Sequence, residues 1–117
     1  MKNEMVEVME KAVKEYKYQL DVYKNRVVKK FYVVVGGSGN AAFNVVDWNK
    51  DGTFNWNMAG GNKPYKFRSV SEANKVKEMV EKDNRFDDVE VVTMVEYLSN
   101  VLKSNEAALE MVKEYAA

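Results

Sequence analysis

Apolar residues in the first 28 positions recur at alternating spacings of three and four. The stripe lies among lysine and glutamate residues and consists of Val6, Met9, Val13, Tyr16, Leu20, Tyr23 and Val27. This spacing places its members on one face of an α-helix. We therefore predict an amphipathic helix over residues 1–28, with the stripe packed on the protein's own sheet. Because the stripe also satisfies a heptad pattern, self-association through it is the alternative.

The pattern changes to β-branched and aromatic residues after position 28. Three apolar runs, at residues 31–35, 41–48 and 53–59, are separated by residues typical of turns. Asp51-Gly52, between the second and third runs, is a strong hairpin signal because both residues tolerate positive φ. Residues 29–68 are therefore predicted to form antiparallel strands.

The predicted hairpin has two faces that differ in polarity. A two-residue turn pairs Trp48 with Asn55 and Asp47 with Trp56, and a four-residue loop keeps the same residues together on each face. The predicted core face carries Phe43, Val45, Phe54, Trp56 and Met58. The opposite face carries Asn44, Val46, Trp48, Asn55 and Asn57. We therefore expect Trp48 to be a large aromatic residue on a mostly polar outer face.

Two helical patterns flank a strand-like run in the second half of the chain. Ser69 and Glu72 match a capping box, which predicts a helix over residues 69–83. This helix is expected to bury Val70, Ala73, Val76 and Val80. Residues 88–96 are rich in β-branched side chains and predict a strand, with a helix from near Asp88 as the alternative. Helical spacing returns over residues 98–116.

Together these elements predict one α+β domain over residues 1–117. It contains a long N-terminal helix and a three- to four-stranded antiparallel sheet with a central hairpin. A middle helix and a C-terminal helix complete the predicted fold.

The residue types present exclude several chemistries. The chain contains no cysteine and no histidine. Disulfide bonds, Cys/His zinc sites and Ser-His-Asp or Cys-His catalysis are therefore excluded. The acidic residues form no recognisable catalytic pair. We predict a non-enzymatic protein with no catalytic residue, metal or cofactor.

The hydropathy pattern also indicates the cellular compartment in which the protein is expected. No segment approaches the ~18 consecutive apolar residues of a membrane helix. Charges are scattered through the first residues, where a signal peptide has an unbroken apolar stretch. A cytoplasmic protein with no membrane partner is therefore expected.

Two short motifs imitate ligand-binding sequences. Residues 37–42 (GSGNAA) match the G-x-G-x-x-A fingerprint, but a strand-like sequence follows where a helix is needed to face the pyrophosphate. Residues 47–52 (DWNKDG) match the first half of a calcium loop, but Met58 occupies the position of the bidentate glutamate. A loop and a hairpin turn explain the two motifs.

Charge is unevenly distributed, although the formal net charge is zero. Residues 1–70 carry 12 basic and 7 acidic side chains, whereas residues 71–117 carry 6 and 11. The two halves therefore either attract each other or present faces of opposite charge. Basic and aromatic residues alternate at Lys29, Lys30, Phe31, Tyr32, Lys63, Tyr65, Lys66, Phe67 and Arg68. Single-strand nucleic-acid platforms use this mixture, but the net charge disfavours a nucleic-acid binder.

Two stretches carry a resemblance to known proteins. Residues 48–54 (WNKDGTF) and 63–73 (KPYKFRSVSEA) resemble small proteins from phages and prophages of low-GC bacteria. In these proteins a hairpin is followed by F-x-S-x-x-E-A and a helix. The similarity covers roughly residues 30–95 and supplies no functional residue. It implies an uncharacterised phage protein or an inhibitor of host defence, including anti-CRISPR proteins that mask a nuclease surface.

We therefore expect a protein-binding module, with a phage-type inhibitor of a host defence nuclease as its specific form. The predicted surface joins the outer hairpin face to the acidic half of the chain: Trp48, Val46, Asn55, Asn57, Glu90, Glu96, Glu106 and Glu110. An exposed tryptophan is a common interface anchor, and an acidic face can imitate nucleic acid. The alternatives are a nucleic-acid-binding accessory protein that uses the basic and aromatic strands, and a structural homodimer formed through the N-terminal helix.

Overall fold

The computed structural model describes residues 2–27, 29–36, 41–48, 54–59, 64–82 and 88–116. Its elements in chain order are α1 (Lys2–Asn25), β1 (Tyr32–Gly36), β2 (Ala41–Trp48), β3 (Phe54–Ala59), α2 (Val70–Glu81), β4 (Glu90–Thr93) and α3 (Met94–Ala116). The α+β class, the long N-terminal helix and the antiparallel sheet are as predicted. The chain divides into two compact units, Met1–Val28 with Leu98–Ala117, and Lys29–Tyr97. The single domain over residues 1–117 stays a prediction.

The described strands of the second unit form one antiparallel sheet in the order β3-β2-β1-β4. Strand β1 is paired on both sides, and its Val33, Val34 and Val35 are buried. Strands β3 and β4 form the two edges. Helix α2 packs on one face of the sheet, where the core contains Val34, Phe43, Phe67, Ala73, Val76, Val80 and Val89.

The hairpin register differs from the prediction. Trp48 lies opposite Phe54, and the register shifts between Val45 and Asp47. The predicted pairings of Trp48 with Asn55 and of Asp47 with Trp56 are both wrong, because Asn55 lies opposite Asp47 and Trp56 lies opposite Val45. The bulge at Val46 adds one residue to β2 and changes the pairing beyond it by one position. The prediction placed Trp48 and Phe54 on opposite faces of the hairpin. Because directly opposed residues share a face of a sheet, that assignment does not hold beyond the bulge.

Before the bulge, the register of a two-residue turn is not found, but the predicted grouping of residues by face is kept. The pairs Phe43 with Met58 and Val45 with Trp56 place these four residues on one face of the ladder, and Asn44 with Asn57 lies on the other. Phe43 is fully buried in the core. The predicted turn at Asp51-Gly52 lies outside the described residues.

Helix α2 begins at the predicted cap. The Ser69 hydroxyl oxygen accepts a hydrogen bond from the Glu72 backbone N–H at 3.2 Å. Ala73, Val76 and Val80 are buried as expected. Val70 was predicted to be buried but is 44% exposed, because it lies in the first turn and lines an open groove at the sheet edge.

The boundary between β4 and α3 corrects two predictions. The strand predicted over residues 88–96 ends at Thr93, and the helix predicted from residue 98 begins at Met94. The reason is that Thr93 caps the helix through its side chain. The Thr93 Oγ1 accepts from the Glu96 N–H at 3.1 Å and donates to Glu96 Oε1 at 3.2 Å. The alternative helix from Asp88 is also wrong, because Asp88 has a left-handed φ of 56° and a strand follows it.

The first unit contains α1 and most of α3. Its predicted apolar stripe is the least exposed face of α1, with Val13 and Tyr16 buried and the other members half-buried. The helix ends at Asn25 rather than at residue 28. Lys17 Nζ lies 4.0 Å from Glu106 Oε2 and joins α1 to α3 across the surface of this unit.

Burial of Tyr16 makes stability depend on pH at high pH. Desolvation raises the pKa of its phenol above the ordinary value of 10.0. Above that pH the unfolded chain loses the phenol proton while the folded protein keeps it, so the free energy of unfolding falls as pH rises. We expect Tyr16→Phe to reduce this fall, measured by urea unfolding at about pH 8 and about pH 10.5. Tyr18→Phe is the control, because Tyr18 is 58% exposed. The same pH dependence in both variants and the wild type would contradict the assignment.

Candidate functional site

An open groove lies between α2 and the edge strand β4 in the second unit. Its volume is about 560 Å³, and it is lined by Tyr32, Val70, Asn74, Lys77, Glu90, Val91, Val92, Thr93 and Glu96. Val70, Asn74 and Lys77 are spaced four and three residues apart, so they form one face of α2. Strand β4 forms the opposite wall.

The hydrogen-bond phase of the β1–β4 ladder follows from two observations. The Met94 N–H donates to the Phe31 carbonyl at 2.8 Å, one step beyond the Tyr32–Thr93 pair. Tyr32 instead exchanges two 2.8 Å backbone bonds with Phe67. Since hydrogen-bonded and non-bonded pairs alternate in an antiparallel ladder, Tyr32 and Thr93 form a non-bonded pair.

This phase determines which backbone groups of β4 face the groove. Glu90 and Val92 turn their N–H and C=O groups toward β1, whereas Val91 and Thr93 turn theirs to the outer edge. The Thr93 carbonyl is at the helix cap, where it accepts the first intrahelical bond. The Val91 N–H, the Val91 C=O and the Thr93 N–H are therefore left facing outward. Among the described residues, no strand pairs with this edge.

The side chains give the groove an apolar base and charged margins. Tyr32 and Val91 are half-buried and pack against the core, and Val70 is more exposed. Lys77 Nζ lies 3.3 Å from Glu81 Oε1, so its charge is already paired. The carboxylates of Glu90 and Glu96 complete the lining.

The predicted binding residues are divided between the two units. Glu90 and Glu96 line the groove, whereas Glu106 and Glu110 are exposed on the part of α3 that belongs to the other unit. The hairpin residues belong to β2 and β3, which lie on the other side of β1 from β4, namely Val46, Trp48, Asn55 and Asn57.

Sequence reasoning missed the residues that shape the groove. Val70 was predicted to be in the core, and Val91 and Thr93 were assigned to the interior of a longer strand. The sequence Thr-Met-Val-Glu at residues 93–96 is itself a capping-box signature and could have located the end of β4. The position of β4 at the sheet edge has no such local signal.

A smaller concavity of about 280 Å³ lies beside the groove, and we call it the basic depression. It is lined by Lys29, Lys30, Phe31, Tyr32 and Arg68, part of the basic and aromatic set found in the sequence. Phe67 of that set is fully buried, and the Tyr65 ring packs on it with centroids 4.6 Å apart. Lys63 lies outside the described residues.

The two ligand-like motifs cannot be placed in full. Residues 37–40 of the glycine motif and 49–53 of the calcium-like turn lie outside the described residues. In the part of the chain that the structure describes, no group of three or more acidic side chains could hold a metal ion. None of the helices described is both long and apolar enough to cross a membrane.

Comparison with known proteins gives no relative. No family model matches the chain, and neither a curated protein nor a solved structure matches it. The basis for a function is therefore the geometry of the groove and of the basic depression.

Proposed function

We propose that this chain is a non-enzymatic protein-binding module whose groove accepts an extended segment of another protein beside β4. The observation that carries the proposal is the set of outward backbone groups at Val91 and Thr93, next to an open groove. In strand addition, main-chain hydrogen bonds supply affinity and alternate side chains supply specificity.

The groove also defines what kind of segment fits. An added strand lies about 4.8 Å from its neighbour, and every second side chain points to the same face. Side chains on the α2 side would meet Val70, Val91 and Tyr32. The proposed ligand is therefore an extended segment with apolar residues at alternate positions.

Two observations favour a foreign partner over a second copy of this chain. Edge-to-edge pairing of two β4 strands would bring two sets of Glu90 and Glu96 carboxylates together, and like charges at an interface are costly. For a homodimer through α1, the most central stripe residues, Val13 and Tyr16, are already buried within the chain.

The resemblance suggests a specific form of this function. A phage-type inhibitor acting in the cytoplasm would use the groove to hold a segment of a host defence nuclease. Strand addition suits this role because it masks a target segment without any chemistry. Capture from a host lysate would identify the target, with loss of capture by a groove variant as the control for specificity.

Amide hydrogen exchange tests the proposal directly. Extended peptides selected from a random library serve as probes. In the free protein we expect slow exchange at Glu90 and Val92, whose N–H groups bond to β1, and fast exchange at Val91 and Thr93. Bound peptide should protect Val91 and Thr93 and leave the other two unchanged.

Two outcomes would overturn the proposal. Selected peptides that bind but leave Val91 and Thr93 unprotected would place binding elsewhere. Protection of these amides that rises with protein concentration, without peptide, would make a second copy the occupant of the groove.

A further inference from the structure

We infer that the basic depression holds an anionic group of the segment bound in the groove, so that the partner is an acidic peptide. The inference rests on the proposed function and deepens it. The ligand would combine an extended apolar stretch with a neighbouring carboxylate or phosphate. The shared chemistry is an anionic oxygen group, which lysine and arginine bind through charge-assisted hydrogen bonds.

The charge of the depression is unbalanced. Lys29, Lys30 and Arg68 supply three cations, and no residue of its lining is acidic. All three side chains belong to exposed residues, and none forms an ion pair within the described part of the chain. An anion bound there would therefore not have to displace a carboxylate of this protein.

The cations are also held on fixed backbone. Lys29 and Lys30 precede β1, and Arg68 follows Phe67. Tyr32 and Phe67 exchange two backbone hydrogen bonds of 2.8 Å, which tie the two segments together. Arg68 is next to one of these bonded residues and Lys30 is two residues from the other, so the backbone near these cations is already ordered, which lowers the entropy cost of binding.

The depression and the groove share one lining residue. Tyr32 lines both concavities. A segment lying along β4 passes Thr93, which is opposite Tyr32 in the register. For an acidic residue of the segment to meet the cations, it must follow the apolar stretch beyond the Thr93 end of β4, where Tyr32 borders both concavities.

The aromatic residues favour a peptide over single-stranded nucleic acid. Nucleic-acid platforms need ring faces that are open to bases. Phe67 is fully buried, and Tyr65 packs on it rather than standing free. The three cations are therefore exposed at the surface, whereas these two rings are packed against each other.

A titration followed by amide NMR shifts tests the inference. The probes are hexaglutamate, a hexapeptide containing phosphoserine, and octathymidylate, all at low salt. We expect one or both peptides to shift the amides of Lys29, Lys30 and Arg68. Neutralising these residues together (Lys29→Gln, Lys30→Gln, Arg68→Gln) should weaken peptide binding about tenfold or more, because three exposed charge contacts are lost together. The control carries Lys14→Gln, Lys75→Gln and Lys103→Gln, three exposed lysines outside both concavities, and should bind like the wild type.

The outcomes separate this inference from the proposed function, because these probes lack the apolar residues that the groove requires. Shifts caused by the phosphoserine peptide alone would support the inference with phosphate as the anion. Absence of shifts at the depression with both peptides would overturn it and leave the groove proposal standing. Tighter binding of octathymidylate at the same amides, or an equal loss in the control variant, would also overturn it.

Discussion

Phe67→Ala should lower the free energy of unfolding by about 3–5 kcal/mol, the usual cost of truncating a buried aromatic side chain. Phe67 is fully buried and belongs to the core between α2 and the sheet. The loss arises from apolar surface returned to water and from the cavity that remains. Phe67→Leu keeps most of the volume and should cost about 1.5 kcal/mol or less. Urea unfolding followed by circular dichroism measures both changes.

Tyr18→Ala provides the matched control for aromatic truncation. The Tyr18 residue is 58% exposed on α1, so its removal should change the free energy of unfolding by no more than about 0.5 kcal/mol. Similar losses for Phe67→Ala and Tyr18→Ala would show that Phe67 is not a core residue. The backbone bridge between Phe67 and Tyr32 does not use the Phe67 side chain, so the comparison reports on packing alone.

Proline at two adjacent positions of β4 should affect different properties. At Val91 it should mainly weaken peptide binding, and at Val92 it should cost more stability. Val91→Pro removes an N–H that faces the groove, so we expect peptide affinity to fall about tenfold or more, as loss of one main-chain bond predicts. Val92→Pro removes an N–H that bonds to the buried Val33 of β1. Leaving the Val33 carbonyl unpaired should cost about 1–3 kcal/mol of stability beyond the cost of Val91→Pro.

Peptide titration and urea unfolding of the two variants measure these effects. Wild-type affinity in a folded Val91→Pro protein would refute strand addition at β4. Equal losses of stability at Val91 and Val92 would show instead that the hydrogen-bond phase of the ladder is wrong. The pair is informative because both positions carry the same side chain and are half-buried in the same strand.

Local patterns predicted much of the fold. The spacing of apolar residues located α1, and the Ser69 capping box located the start of α2, because both signals depend on residues within a few positions of each other. Boundaries failed where a second local signal was overlooked. Thr93 caps α3, so the β-branched run that predicted a longer strand is split between β4 and the first turn of the helix.

The candidate site was only partly predictable. Glu90 and Glu96 were selected for their charge and do line the groove. Trp48 was selected from an alternation of faces that the bulge at Val46 interrupts. A bulge depends on how two strands pair rather than on the composition of either strand, so the sequence pattern did not reveal it.

The sequence by itself determined the element order, the α+β class and the absence of cysteine and histidine chemistry. Only the tertiary structure decided that β4 lies beside β1 at the sheet edge, with Val91 and Thr93 facing outward, and that Lys29, Lys30 and Arg68 line one concavity. The physical reason is that helix periodicity and capping act between neighbours in the chain. Strand order and hydrogen-bond phase are instead set by pairing between residues far apart in sequence, and a shift of one residue exchanges the inner and outer groups of a strand.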